Sequence, residues 1–481
     1  MIRARAVVKY LGYILLFNAL FLFISAVISF AGKEGSFNAL LTSAALTAVV
    51  GSIPLFFIGK IGEIKFHEGL SISILGWILT CVVGMIPYCL WGGEFTLANA
   101  LFESVSGYTT TGSSILSNVE ALPKGMLFWR SSTSLIGGLG IILFVLLVLP
   151  EKRGSMSSFY RVEVSELSRV NFVIKGKRIT RRIATVYFIL IAAHTILLYL
   201  FGMSFFDAVC HSFSTIATSG FSTKNLNIAH YNSVAIELVI LFFMLISSMH
   251  FGLIYATMTL KKNHLFASRP TRMYVCVMAI GILFIAFLLA HENLYEWGES
   301  FRHAAFQVVS LASTTGYATV DTAGWPLFSI ILLLYFSIQC GMIGSTAGGI
   351  KFDRVYLFFV SLRNQLRLIL HPNGVYAVKM NGKSVDHAIE LQVMVFIILY
   401  LLTLSVTALL LTGMGMDGMT SFSASIATIG NVGPGFGSVS SLGNFGHLPD
   451  ATKYILSANM LLGRLEIMNV FALIGLLLRK R

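Results

Sequence analysis

The sequence predicts an all-α integral membrane protein: four M1-pore loop-M2 repeats in a pseudo-fourfold arrangement, preceded by an N-terminal helix pair. Three observations predict it. Of 481 residues 56% are hydrophobic and only 11% charged, and the mean hydropathy of +0.81 leaves almost no room for a water-exposed surface. Apolar stretches of about 20 residues, the length that crosses the hydrocarbon layer, recur from residues 8–30 to the C-terminal end. Finally, a short apolar segment followed by a T-x-G tripeptide occurs four times, with glycines 108, 96 and 114 residues apart.

The first apolar stretch, 8–30, is too long for a signal-peptide core and is followed by no small-residue cleavage pattern, so it reads as a retained helix paired with 40–60. The remaining chain divides at the recurring pattern. The expected units are an extension at 1–66 and repeats at 67–160, 161–264, 265–365 and 366–481, the third with an interrupted inner helix. In each repeat a long apolar segment precedes a short one such as 97–108 or 205–217, too short to span and followed at once by small and hydroxyl residues. Such a segment reads as a re-entrant helix. Its non-helical return strand survives at membrane depth only where protein buries it or where it lines a wet cavity. Ten spanning helices and four re-entrant helices result.

The formal net charge of +13 is topology signal rather than a nucleic-acid footprint. With the N-terminus inside, 27 of the 34 Lys and Arg residues fall on inside segments, as the positive-inside bias requires. Both termini are then cytoplasmic. The cysteines Cys81, Cys89, Cys210, Cys276 and Cys340 lie in or beside apolar segments without C-x-x-C spacing, which predicts neither a disulfide framework nor a metal site. His194, His211, His250 and His303 show no metal-ligand spacing and read as structural. No phosphate loop, dinucleotide fingerprint or catalytic constellation is present, so the chain is expected to be no enzyme and to bind no cofactor.

The tripeptides carry the chemistry. A cation sheds its hydration shell only where oxygens at similar distances replace it, as rings of backbone carbonyls from four equivalent strands do. Glycine permits positive φ and close approach to a common axis, and a nearby threonine offers carbonyl and hydroxyl oxygens. The expected cation-contacting residues are Thr110, Thr111 and Gly112; Thr218, Ser219 and Gly220; Thr314, Thr315 and Gly316; and Thr428, Ile429, Gly430 and Asn431. Below them, the third inner helix meets Gly341, Gly344, Gly348 and Gly349 with Ser345 and Thr346 between. Each interior glycine costs a helix about 1 kcal/mol, so this segment is expected to unwind. Arg464 stands ten residues into the apolar span 454–478, where a charge faces the bundle interior or a wet cavity. Glu466 is a possible partner for it. Asp207 and Asp417, each 13 residues before its T-x-G glycine, are expected to cap re-entrant helices.

The strings S-G-Y-T-T-T-G (106–112), A-T-S-G-F-S-T (217–223), S-T-T-G-Y-A-T-V-D (313–321) and I-G-N-V-G-P-G-F-G (429–437) resemble the filters of the Trk/Ktr/HKT potassium transporter superfamily. W-R-S-S-T-S-L-I-G-G-L-G (129–140), G-S-T-A-G-G-I-K (344–351) and H-P-N-G-V-Y-A-V-K (371–379) extend the likeness over nearly the whole chain, and the extra helix pair points to the Trk branch. The resemblance implies K+ as the transported ion, because Gly112 stands where a serine goes with sodium preference. It implies that 341–349 is an intramembrane gate and that Arg464 is a positive charge in the ion path. It also implies a homodimer in the bacterial inner membrane that docks a cytoplasmic nucleotide-binding, TrkA-like regulatory subunit. The basic segments 151–182 and 351–383 are the expected docking surface. The alternative is a secondary transporter for another cation or a small solute, with paired broken helices in inverted halves.

Overall fold

The structure, a computed structural model, describes residues 3–59, 61, 62, 64, 66–148, 176–260 and 264–478. Helices dominate it. Two hairpin-sized pairings, Gln339–Cys340 with Ile350–Lys351 and Lys379–Met380 with Lys383–Ser384, are the strands among the described residues.

The N-terminal pair, Ala4–Ala31 and Phe37–Phe57, crosses where glycines remove side chains from both faces. A Cβ on Gly12 would stand 2.6 Å from the Gly51 carbonyl oxygen, the small-residue contact that lets membrane helices approach closely. The pair is anchored on the first repeat. Tyr108 donates its hydroxyl to Asn18 Oδ1 at 2.6 Å, and Glu34 accepts the Lys124 and Gly125 amides that open the first inner helix.

Each repeat then supplies an outer helix, a short helix and an inner segment. The outer helices are Phe66–Gly84 with Ile86–Trp91, Gly176–Leu200, Arg269–His291 and His387–Gly413. They turn side chains such as Ile196, Leu200, Leu283 and Leu409 outward, an apolar exterior suited to lipid. The short helices, Leu97–Tyr108, Phe205–Ala217, Trp297–Ala312 and Gly418–Ile429, are largely buried beyond their first turn, with Phe301 and Phe422 exposed. Two of them have the bounds the sequence predicts. Thr96, Ser204 and Asp417 cap three of them by accepting the amides of Asn99, Asp207 and Thr420. Asp417 therefore caps as expected. Asp207 does not: Ser204 holds the cap, and Asp207, three residues on, accepts from the Ser204 and Thr223 hydroxyls.

Among the described residues six helices are long and apolar enough to cross a membrane, or eight counting two bent pairs. The remaining two expected spans are the inner segments of repeats 1 and 3, kinked at Gly140 (φ 73°) and interrupted after Ile338. Every inner segment is in fact broken. Val234–Ser247 meets Phe251–Leu260 at 100°, and Asp450–Arg464 meets Ile467–Leu478 at 97° across Leu465 and Glu466. The expectation of one continuous helix over 454–478 is corrected here. No residue at the break itself is glycine or proline, although Gly463 stands in the turn before it; Glu466 holds φ 58° and its carboxylate pairs with Arg354 on another repeat at 2.8 Å.

Candidate functional site

The four short helices end in the same backbone figure. Thr110, Thr218, Thr314 and Asn431 adopt left-handed φ of 55°, 56°, 60° and 52°, and the second residue after each is a glycine of positive φ: Gly112, Gly220, Gly316 and Gly433. The residue between them donates its amide five residues back, Thr111 to Ser106, Ser219 to Ser214, Thr315 to Ser310 and Val432 to Ala427, at 2.8–2.9 Å. The chain thereby reverses out of the helix with the amide of the middle residue paired to a carbonyl of the last turns.

The glycines close these turns into a ring. A Cβ on Gly112 would overlap the Ser219 carbonyl oxygen, one on Gly220 that of Thr315, one on Gly316 that of Val432, and one on Gly433 would press on that of Thr111. Each repeat thus abuts the next and the fourth returns to the first. Only glycine allows both the left-handed backbone and this approach.

The fourth repeat corrects the sequence reading. Thr428 and Ile429 belong to the last turn of their short helix, and Gly430 caps it in right-handed conformation with φ −76°. The ring position falls three residues later, on Asn431, Val432 and Gly433. Asn431, expected beside the figure, is its left-handed residue, a role asparagine fills more readily than most side chains. Val432 and Gly433 were missed. The signal that identifies them is N-x-G followed by Pro434, which cannot continue a helix.

All four ring glycines line one open cavity of about 100 Å³, together with Ser113, Ser222, Arg130 and Lys224. Asp417 lies at the outer end of its short helix, where hydrogen bonds from Thr420 hold its carboxyl below the usual range. Asp207 lies 3.9 Å from Lys224.

The helix side of the ring meets the glycine-rich segment. As expected it is not helical. Gln339–Cys340 pairs in parallel with Ile350–Lys351 and closes residues 341–349 into a buried loop. Gly348 donates its amide to the Thr314 hydroxyl at 3.0 Å, and a Cβ there would meet Gly430 and Asn431. The Thr346 hydroxyl donates to the Ile216 carbonyl at 2.9 Å, Met342 donates to Ser248, and Asp353 accepts the Ile343 amide at 2.7 Å. The loop therefore touches short helices or breaks from repeats 2, 3 and 4 at once. Gly341, Gly344, Ser345 and Gly349 complete it; Gly344 lies against the His250 ring and Gly349 against Cys340.

Arg464 ends the first half of the fourth inner segment and reaches across to this loop. Its guanidinium donates to the carbonyls of Thr346 at 2.9 Å and Gly137 at 2.5 Å and stands 5.6 Å from the Trp77 ring centroid. The carboxylate two positions on, Glu466, pairs with Arg354 at 2.8 Å. No group of three metal-ligating His, Cys, Asp or Glu side chains occurs among the described residues. His211 bonds the Asp207 carbonyl and the Ser222 hydroxyl, and His194 lies against Phe243.

A bundle of broken apolar helices around a closed ring of backbone oxygens, open to one side through a polar cavity, defines a multi-pass membrane transport protein of the pore-loop class. It is not an enzyme. The chain belongs to the TrkH family, described as cation transport protein, which matches residues 36–477. It is 32% identical to the Trk system potassium uptake protein TrkH of Salmonella typhimurium over 98% of both chains. It is also 32% identical to TrkG of Escherichia coli, over 98% of this chain and 97% of that one. Among solved structures, the potassium transporter TrkH from Vibrio parahaemolyticus superposes with a TM-score of 0.89 at 30% identity, over 98% of each chain. The Trk-type resemblance and the all-α membrane fold expected from the sequence both hold.

Proposed function

We propose that this chain is the potassium-conducting membrane subunit of a bacterial Trk-type uptake system. The observation that supports the reading is the closed ring: in four equivalent turns a ring glycine abuts a backbone carbonyl oxygen of the neighbouring repeat, and the four glycines line one cavity, where such oxygens would replace the water around a dehydrated cation. The residues that would contact K+ are Thr110, Thr111 and Gly112, Thr218, Ser219 and Gly220, Thr314, Thr315 and Gly316, and Asn431, Val432 and Gly433. The loop of Gly341, Gly344, Ser345, Thr346, Gly348 and Gly349, held by Arg464, would gate the passage from the helix side. Names of relatives in three bacteria, all potassium uptake proteins or transporters, support the ion assignment. The protein sits in the inner membrane with both termini cytoplasmic in this reading. Rubidium uptake into liposomes holding the purified chain tests it: uptake that potassium suppresses is expected, and a silent ion assay with a solute-driven current would replace it with a secondary transporter.

The partner reading follows from the charged face below the gate. We infer a homodimer that docks a nucleotide-binding regulator on the helix Phe352–Leu370 and the hairpin beyond it, where Arg363 and Arg367 are exposed. Most of the other expected docking segment, 151–182, lies outside the described residues. The helix begins immediately after the loop-closing strand Ile350–Lys351, so a pull on it reaches the gate through two residues. Replacing Arg363 and Arg367 with Glu is expected to weaken co-purification with the regulator about tenfold, because like charges then face each other at the rim. Nucleotide-dependent gating disappears with it while rubidium leak persists. Unchanged binding and gating would remove this helix from the docking surface.

A further inference from the structure

Nine residues before each ring glycine, the short helices carry Glu103, His211, Gln307 and Ala424. These equivalent positions point at the strand that returns from the ring, and their reach declines around it. Glu103 accepts the Ser114 hydroxyl at 3.0 Å and the Ile115 amide at 3.0 Å. His211 meets the Ser222 hydroxyl at 3.0 Å, Gln307 reaches the Val320 carbonyl at 3.5 Å, and Ala424 has no polar atom to offer.

Only the first position carries a charge, and it is paired. Arg130, on the first inner segment, donates Nε to Glu103 Oε1 at 2.5 Å; the two side chains are 4% and 0% exposed. The other arm of the guanidinium donates to the Ser222 carbonyl at 2.8 Å, and its carbon stands 3.6 Å from the Phe221 ring centroid. Ser114 and Ile115 follow Gly112; Phe221 and Ser222 follow Gly220. One buried ion pair therefore holds the return strands of two neighbouring repeats, at the junction where Gly112 abuts the Ser219 carbonyl.

We propose that Glu103 and Arg130 are positioning residues that set the width of the ring at the junction of repeats 1 and 2, and so its discrimination among monovalent cations. The inference rests on the conduction reading above. A buried ion pair is weak evidence for stability, since desolvation offsets most of its attraction. Its value lies in geometry: the planar fork of arginine grips two acceptors in fixed directions, which a lysine ammonium does not. A site whose supporting shell is rigid keeps its oxygens at the spacing one ion needs and not at that of a smaller one.

The test compares rubidium and sodium uptake in liposomes holding the full-length protein, its Arg130→Lys variant and the double variant Glu103→Gln with Arg130→Gln. Arg130→Lys keeps the charge and loses the fork. The double variant removes both charges, so no carboxylate is left buried without a partner. Both are expected to keep a monodisperse, rubidium-transporting protein whose rubidium-to-sodium ratio falls about tenfold, a change in discrimination of about 1.4 kcal/mol. Sodium uptake rises rather than rubidium uptake falling. A ratio unchanged in both variants overturns the inference, and loss of folded protein in both overturns it too, by reducing the pair to a structural role. Absence of rubidium uptake in the unaltered protein would instead defeat the conduction reading itself, so the two failures are distinguishable.

Discussion

Gly112→Ser is expected to lower the potassium-to-sodium permeability ratio at least about tenfold while the protein still assembles in the membrane. Two effects add at this position. Gly112 holds φ 82°, a conformation L side chains rarely adopt, and forcing one into it costs about 1–3 kcal/mol. Its new Cβ would also overlap the Ser219 carbonyl oxygen of the neighbouring repeat, so backbone must move and the ring widens or tilts there. Distant parts of the bundle touch neither group, and the helix pairs that build it are left as they were. Gly433→Ser is expected to act in the same direction, because Gly433 has φ 107° and abuts the Thr111 carbonyl. Gly430→Ala, at a right-handed helix cap, is expected to cost stability and leave the ratio alone. Reversal potentials in mixed potassium and sodium gradients decide between them. A ratio governed by position 430 and indifferent to 433 would return the fourth repeat to the T-x-G reading.

That fourth repeat shows where the sequence is legible and where it is not. Repeats 1 to 3 carry threonine at the left-handed position, so T-x-G marks them directly. In repeat 4 the same letters occur by chance one turn early, in Thr428-Ile429-Gly430, and composition does not distinguish a helix end from the turn that follows it. Asn431 breaks the letter pattern yet keeps the conformation, because its side chain tolerates positive φ. The same limit applies to the inner helices. Four glycines within nine residues announce the interruption at 341–349, since each weakens a helix locally. The bend at Leu465 and Glu466 has no such signal. It is held from outside by the Glu466–Arg354 pair, and the turn at Ser248–His250 by the amide of Met342 on the Ser248 carbonyl. Contacts between repeats decide both, and a reading that moves along one chain does not contain them. Short helices bounded by hydroxyl residues were legible to the residue in two cases because cap, apolar face and stop signal all coincide there.

Arg464→Ala is expected to raise basal cation flux about tenfold. The guanidinium joins the Thr346 carbonyl of the glycine-rich loop to the Gly137 carbonyl of the first inner segment, so under the proposed gating it would fasten the loop across the passage as well as place a positive charge beside it. A hydrogen bond from a charged donor contributes about 1.5–3 kcal/mol. Losing the equivalent of one such bond in the closed arrangement alone would shift the open population about tenfold, since each 1.4 kcal/mol is a factor of ten. Under the proposed gating the closed state is the one that would lose, with the arrangement in which both acceptors meet the same side chain taken as closed. Removing the charge also lowers the electrostatic barrier that a cation meets between ring and loop, and the two effects share a sign. Arg464→Lys separates them: an ammonium keeps the charge but does not span two carbonyls with a planar fork, so its flux is expected to lie between those of the unaltered protein and the alanine variant. Rubidium influx per mole of reconstituted protein, measured without regulator or nucleotide, reads the result. A folded Arg464→Ala protein whose influx is equal or reduced would mean that the guanidinium supports the bend at Leu465 and neither bars nor latches the path.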